Sequence, residues 1–219
     1  MNYEKLKENA LKSNLVKNAK FVGKYDFPML KKTTKIPSKA IPFNRLNAST
    51  DCKQWVHFYI DDYKFERIWN NLDKYIQTFK KFYGIIGTDF STYMDMPLAQ
   101  QIWNLYRNRV ISHYLQENGI DVIPNVQWGT EETYEYCFDG IPSGGTVAIS
   151  TNGCIKDKLN RYYFQKGLEK MLEVLQPTTI VNYSNMPDDI FGKYKDCGIN
   201  FIHLENYHNT AKGRCCGNG

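Results

Sequence analysis

Two periods organise this chain. Short apolar runs at 56–60, 83–87, 121–126, 146–150, 179–183 and 199–204 read as buried strands. Between them lie longer segments whose apolar positions recur at steps of three and four, which is the face of a helix. Phe65, Trp69, Leu72, Ile76 and Phe79 place one helix over 63–81. Leu98, Ile102, Tyr106, Val110 and Tyr114 place a second over 97–118, with Pro97 in its first turn and Asn118-Gly119 as its stop. Phe164, Leu168, Met171, Leu172 and Leu175 place a third over 160–175, ended by Pro177, and Pro187 opens a short helix with Ile190, Phe191 and Tyr194. Upstream, Leu6, Leu11, Leu15 and Val16 predict an amphipathic helix over 2–20. A Pro-punctuated extended stretch follows, in which 40–44 is a candidate first strand.

Strands alternating with helices predict βαβ units and a mainly parallel sheet, an α/β fold. Two architectures fit. A small or incomplete (β/α) barrel is favoured, because 219 residues fall short of the roughly 250 of a full eight-fold barrel. An open doubly wound sheet is the alternative. The expected organisation is a basic arm at 1–27, one α/β domain at 28–208 and a flexible tail at 209–219.

Composition changes this picture in two places. No apolar run is long enough to span a membrane and the first residues lack the apolar core of a signal peptide, so a cytoplasmic address and free thiols are expected of the six Cys. The net charge of +5 is uneven: residues 1–40 carry +7 and the remainder −2. The Lys-rich residues 1–40 are therefore the segment that can meet nucleic acid or an acidic partner, or simply keep the chain solvated.

The candidate chemistry follows from the parallel strands. Loops after their C-terminal ends gather at one mouth. The strand endings here are polar: Asp61 and Asp62, Thr88 and Asp89, Asn125 and Trp128, Thr151 and Asn152, Asn182, Glu205. Asp61, Asp89 and Glu205 are the candidate catalytic carboxylates, able to divide acid and base roles or to hold Mg²⁺. Asn125, Trp128, Thr151, Asn152, Asn182 and Arg107 are the candidate ligand contacts, with Arg109 as the other arginine of its helix. Each acid also has a structural reading, since Asp after a strand commonly caps a helix; Asp62 and Asp95 sit where caps are needed. The loop 151–154 can cradle an anion on its backbone N–H groups, but its spacing matches neither the Walker nor the dinucleotide pattern. Cys154, beside that loop, is a candidate nucleophile without an assigned base. Zinc is not expected: His203, His208, Cys215 and Cys216 fall together, yet adjacent cysteines do not readily share one tetrahedral ion and no C-x-x-C exists.

Several strings resemble the family called domain of unknown function 4417. They are 88–104 (TDFSTYMDMPLAQQIWN), 122–129 (VIPNVQWG), 138–142 (FDGIP) and 147–154 (VAISTNGC), and the resemblance extends over roughly 28–208. It implies a phage-type protein acting in a bacterial host cell and carries over no activity, cofactor or catalytic residue. Three functions are thus expected in turn. The first is an enzyme or binding domain for a phosphate-bearing or nucleotide-like ligand at the strand mouth. The second is a non-catalytic phage accessory protein that binds nucleic acid or a host protein. The third is an inhibitor of a host defence system.

Overall fold

The computed structural model describes residues 10–207. Among the described residues there are nine strands: β1 (Phe21–Val22), β2 (Phe27–Pro28), β3 (Ala40–Pro42), β4 (Trp55–His57), β5 (Gly84–Ile86), β6 (Val122–Ile123), β7 (Thr146–Ser150), β8 (Thr179–Tyr183) and β9 (Asn200–Leu204). The helices are α1 (Arg67–Asn71), α2 (Asp73–Phe79), α3 (Leu98–Glu117), α4 (Lys158–Leu175) and α5 (Asp188–Phe191). β3 to β6 form one parallel sheet in chain order, with Val56 opposite Ile41 and Ile85 opposite Val122. β7 to β9 form a second, with Ala148 opposite Val181 and Val181 opposite Ile202. An Asn125–Ala148 bridge joins the two: the Val126 N–H donates to Ala148 O and the Ala148 N–H to Pro124 O, both at 2.8 Å. The chain is α/β with parallel sheets, as the alternation predicts.

Alternate residues of each strand go to opposite sides. On one side Trp55, Ile86, Ile123, Ala148, Val181 and Leu204 form one core drawn from both sheets. On the other, Val56, Ile85 and Val122 pack with Ile68, Leu72 and Phe79, while Val147, Ile149 and Ile180 pack with Phe164, Leu168 and Met171. Each such fully covered side chain contributes about 1.5–3 kcal/mol.

Four elements differ from expectation. The helix expected over 2–20 is not continuous: Lys12 takes a left-handed φ of 57°, residues 13–16 form a 3-10 turn, and β1 pairs antiparallel with β2. Its first part lies outside the described residues, as do the tail 209–219, His208, Cys215 and Cys216. The helix over 63–81 is divided. Asp62–Lys64 is a 3-10 turn, and Phe65, at φ −128°, leaves the helical region before α1 begins. The strand over 121–126 is short because Pro124 has no N–H to donate to a ladder. α3 keeps its predicted limits but not its predicted face. Leu98 is exposed, and the buried side mixes Leu105, Ile111 and Leu115 with Asn104, Arg107, Asn108 and Arg109.

The basic segment is partly engaged. Lys31 pairs with Glu117 at 2.8 Å, Lys35 with Asp121 at 4.0 Å, and Lys39 with Asp51. Leu15 belongs to the first helix-side core and Phe27 to the second. Among the described residues no helix is long and apolar enough to cross a membrane.

Candidate functional site

A cavity of about 680 Å³ opens at the C-terminal ends of β4 to β7. This is within the usual range for small-molecule sites. Tyr59 and Asp61 reach it from β4, Asp89 from β5, Asn125 and Trp128 from β6, and Asn152 from β7. Five of the nine candidate catalytic and ligand-contact residues therefore converge, namely Asp61, Asp89, Asn125, Trp128 and Asn152. Arg107, Thr151, Asn182 and Glu205 do not line this cavity.

Asp89 is half-buried, and its Oδ1 accepts from Asn125 Nδ2 at 2.7 Å. Burial pushes its carboxyl up to about 8; the Asn125 hydrogen bond opposes that rise and the charge of Asp62 adds to it. Such a group exchanges a proton near neutral pH. Asn125 is in turn held at both ends. Its Oδ1 accepts from the Tyr59 hydroxyl at 3.0 Å, its Nδ2 also faces Thr88 O at 3.2 Å, and its own carbonyl accepts from Arg109 at 3.2 Å. Beneath Tyr59 the ring of His57 lies 4.5 Å from that of Tyr183, and burial pushes His57 down to about 3, so it is neutral.

The loop carrying Asp89 is fixed from behind by the polar face of α3. Asn108 Oδ1 accepts from Thr88 Oγ1 at 2.8 Å and from the Phe90 N–H at 3.1 Å, while its Nδ2 donates to Gln127 Oε1 at 2.6 Å. Asn104 donates to Ser91 O at 2.6 Å. Arg107 stacks 3.7 Å from the Phe90 ring and pairs with Glu66 at 2.6 Å, so its guanidinium braces the loop from outside the cavity. Asp62 does not cap its helix: its carboxylate accepts from the Ser91 N–H at 3.0 Å and from Ser91 Oγ at 2.9 Å. Asp95 makes no cap on α3 either and stands at the cavity rim.

Trp128 is seated by its edge. Its indole N–H donates to Tyr163 O at 3.2 Å and its ring packs 5.4 Å from Phe164. A Cβ on Gly167 would come within 2.1 Å of that indole, so only glycine admits it there. On the β8–β9 side the polar strand ends are used internally. Asn182 Nδ2 donates to Ser184 O at 3.0 Å and Asn185 O at 3.1 Å, and Thr151 Oγ1 donates to Asn185 O at 2.6 Å. Glu205 is exposed. Asp61 pairs with Lys64 at 2.6 Å.

Among the described residues no three carboxylate, His or Cys groups are placed to share an ion. Cys154 lines the cavity, but burial, with the charge of Asp89 adding, pushes its thiol up to about 12, which keeps it protonated and poorly nucleophilic. His203 is exposed on β9.

The family model described as Domain of unknown function (DUF4417) matches residues 19–208. The chain belongs to the DUF4417 family. Two relatives are Gene 1 proteins of mycobacteriophages. That of phage D29 is 36% identical over 166 residues, 74% of this chain and 61% of the relative; that of phage L5 is 34% identical over 165 residues, 74% of this chain and 72% of the relative. The matched part thus spans about three fifths of the D29 protein's length. No solved structure matches. The match starts at residue 19, so it includes the β1–β2 hairpin of this DUF4417 chain.

Sequence reasoning passed over Tyr59, Asn108, Gln127 and the part played by Arg109. A signal existed for the α3 residues. Asn104 and Asn108 are four apart on a helix whose neighbours are mostly apolar, which puts two amides on one face.

Proposed function

We propose that the mouth cavity binds a nucleotide-like ligand and exchanges a proton with it through Asp89, on a sheet curled into an incomplete (β/α) barrel. The barrel reading draws on the strand order, which follows the chain from β3 to β9 without the reversal that marks a doubly wound sheet. It also draws on the single core shared by both sheets on one side. The ladders stop at β3 and at β9, which makes the barrel incomplete.

One observation carries the functional reading: a half-buried carboxyl, fixed on one oxygen by Asn125, faces a cavity with aromatic walls. Nothing in fold maintenance calls for a carboxyl there, since an amide would accept the same Asn125 bond without being desolvated as an acid. Trp128 and Tyr93 offer ring faces of the kind on which planar bases stack.

Calorimetric titration with a panel of nucleosides and their 5′-monophosphates tests this. Saturable binding of at least one of them is expected, weakened about tenfold in Asp89→Ala, the loss of one hydrogen bond to the ligand. Equal affinity in Asp89→Ala, or a panel with no binder, would overturn the reading.

A further inference from the structure

The direction of every hydrogen bond around Asp89 is set by one backbone carbonyl. Thr88 O only accepts, and it faces Asn125 at 3.2 Å, so the Asn125 atom turned towards it is the donor Nδ2. The other end of that amide, Oδ1, then points to the Tyr59 hydroxyl, which must donate. Nδ2 also donates to Asp89 Oδ1. An oxygen that accepts this bond is the poorer place for a proton, so the proton of neutral Asp89 sits on Oδ2. Among the described residues Oδ2 has no hydrogen-bond partner. The carboxyl is thereby pre-oriented as a donor into the cavity.

The same cavity offers nothing to an anion. No residue lining it is Lys or Arg, while Asp61 and Asp95 stand at its rim. In the loop 151–154 the N–H groups of Thr151, Asn152 and Cys154 already donate to Tyr183 O at 3.2 Å, Ser150 Oγ at 3.1 Å and Thr151 O at 3.2 Å, which leaves the Gly153 N–H alone for the anion cradle expected there. The N-terminus of α4 is occupied by its own cap, the Asp157 carboxylate, which accepts from Leu159 N at 3.1 Å and Asn160 N at 2.9 Å. That removes the other ready phosphate seat.

We propose that the ligand is an unphosphorylated nucleobase or nucleoside, and that Asp89 Oδ2–H donates to an uncharged lone-pair acceptor on it, a ring nitrogen or a carbonyl oxygen. This rests on the nucleotide-like reading above and narrows it. The free side-chain amide of Asn152 and the face of Trp128 supply the remaining contacts, one to a base edge and one to its plane.

The consequence is a defined pH dependence. The titratable groups facing Asp89 are Tyr59 from β4, Asp61 and Asp62 after it, Tyr93 and Asp95 on its own loop, and Cys154 after β7, with Tyr163 on α4, and His57 and Tyr183 below. Tyr59 is raised well above its ordinary value by burial, Cys154 stays a thiol, and His57 stays neutral. Asp89, at about 8, changes charge just above neutrality. Its donor is present below that value and lost above it.

The test is calorimetric titration of the wild-type chain and Asp89→Asn with adenosine, cytidine, AMP and CMP at about pH 6 and about pH 9, where both bases stay uncharged. The expected wild-type result is nucleoside binding that is constant below the Asp89 value and falls about tenfold per pH unit above it. Asp89→Asn keeps an amide donor towards the ligand, so it should bind nucleosides with no pH dependence. The monophosphates should bind at least tenfold more weakly than the nucleosides. Nucleoside binding that tightens above pH 8, a variant with the wild-type profile, or preference for AMP or CMP overturns this inference and leaves the site reading standing. Binding of none of the four at either pH overturns the site reading, and this inference falls with it.

Discussion

The two sides of the strand mouth carry the same kind of sequence and come to opposite ends. After β5 and β6, Asn125 is held at both ends and grips one oxygen of Asp89, whose other oxygen stays turned to the cavity. After β7 and β8, Thr151 Oγ1 and Asn182 Nδ2 donate to the carbonyls of Ser184 and Asn185, and neither residue lines the cavity. The difference lies in what stands behind each loop. The first pair is backed by α3, whose buried amides and arginines satisfy the backbone from outside, so one oxygen of Asp89 is left without a structural task. The second pair has no such support, and its side chains must satisfy the turn themselves; Ser184 there adopts a left-handed φ of 78°. A polar residue after a parallel strand is therefore a site residue only where another element does the structural work.

The largest effect that would break this comparison is at Arg109. It is fully buried and donates to the carbonyls of Asp139, Asn125 and Cys137 at 3.0, 3.2 and 2.8 Å. Arg109→Met leaves three carbonyls without a donor and should destabilise the fold by about 3–5 kcal/mol in urea unfolding. A loss below about 1 kcal/mol would mean that α3 is not the support. On the other side, Asn182→Ala should cost about 1–3 kcal/mol while leaving nucleoside affinity unchanged. A variant that keeps its melting temperature and loses affinity would move Asn182 into the site. The effect of Asp89→Asn on stability is smallest at low pH and grows as pH rises. The Asp89 carboxyl lies at about 8 in the folded chain against 3.8 ordinarily, so the folded state holds the extra proton and wild-type stability declines as pH rises between those values. The variant does not titrate there. Its Tm relative to wild type should climb across the window, by about 2–4 °C for each kcal/mol at this chain length. A Tm difference that is equal at about pH 5 and about pH 9 would remove Asp89 as the buried acid.

The α/β alternation was legible because it depends on local periods, and parallel neighbours follow from it. Convergence of Asp61, Asp89, Asn125, Trp128 and Asn152 was legible for the same reason: strand ends are a topological property. Arg107 was not, since nothing in a helical sequence says whether a guanidinium faces a mouth or stacks behind it on Phe90. The face of α3 was misread because apolar periodicity assumes that a buried face is apolar, and this one is lined with amides that serve two loops. Pro124 held the clue to the short β6. Glu205 follows its strand as Asp89 does, but β9 is the last strand of its ladder, and its end meets solvent instead of a neighbouring loop.

Asn125 sits where the two sheets are joined by one bridge and two backbone bonds, and the same residue orients the acid. The buried acid is thus hung on the thinnest seam of the scaffold rather than on its broadest ladder. The bonds across that seam hold the backbone on either side of Asn125, at Pro124 and Val126. Asp89, the amide that grips it and Tyr59 all lie in the chain before β7, so the direction of the acid is written within one of the two sheets.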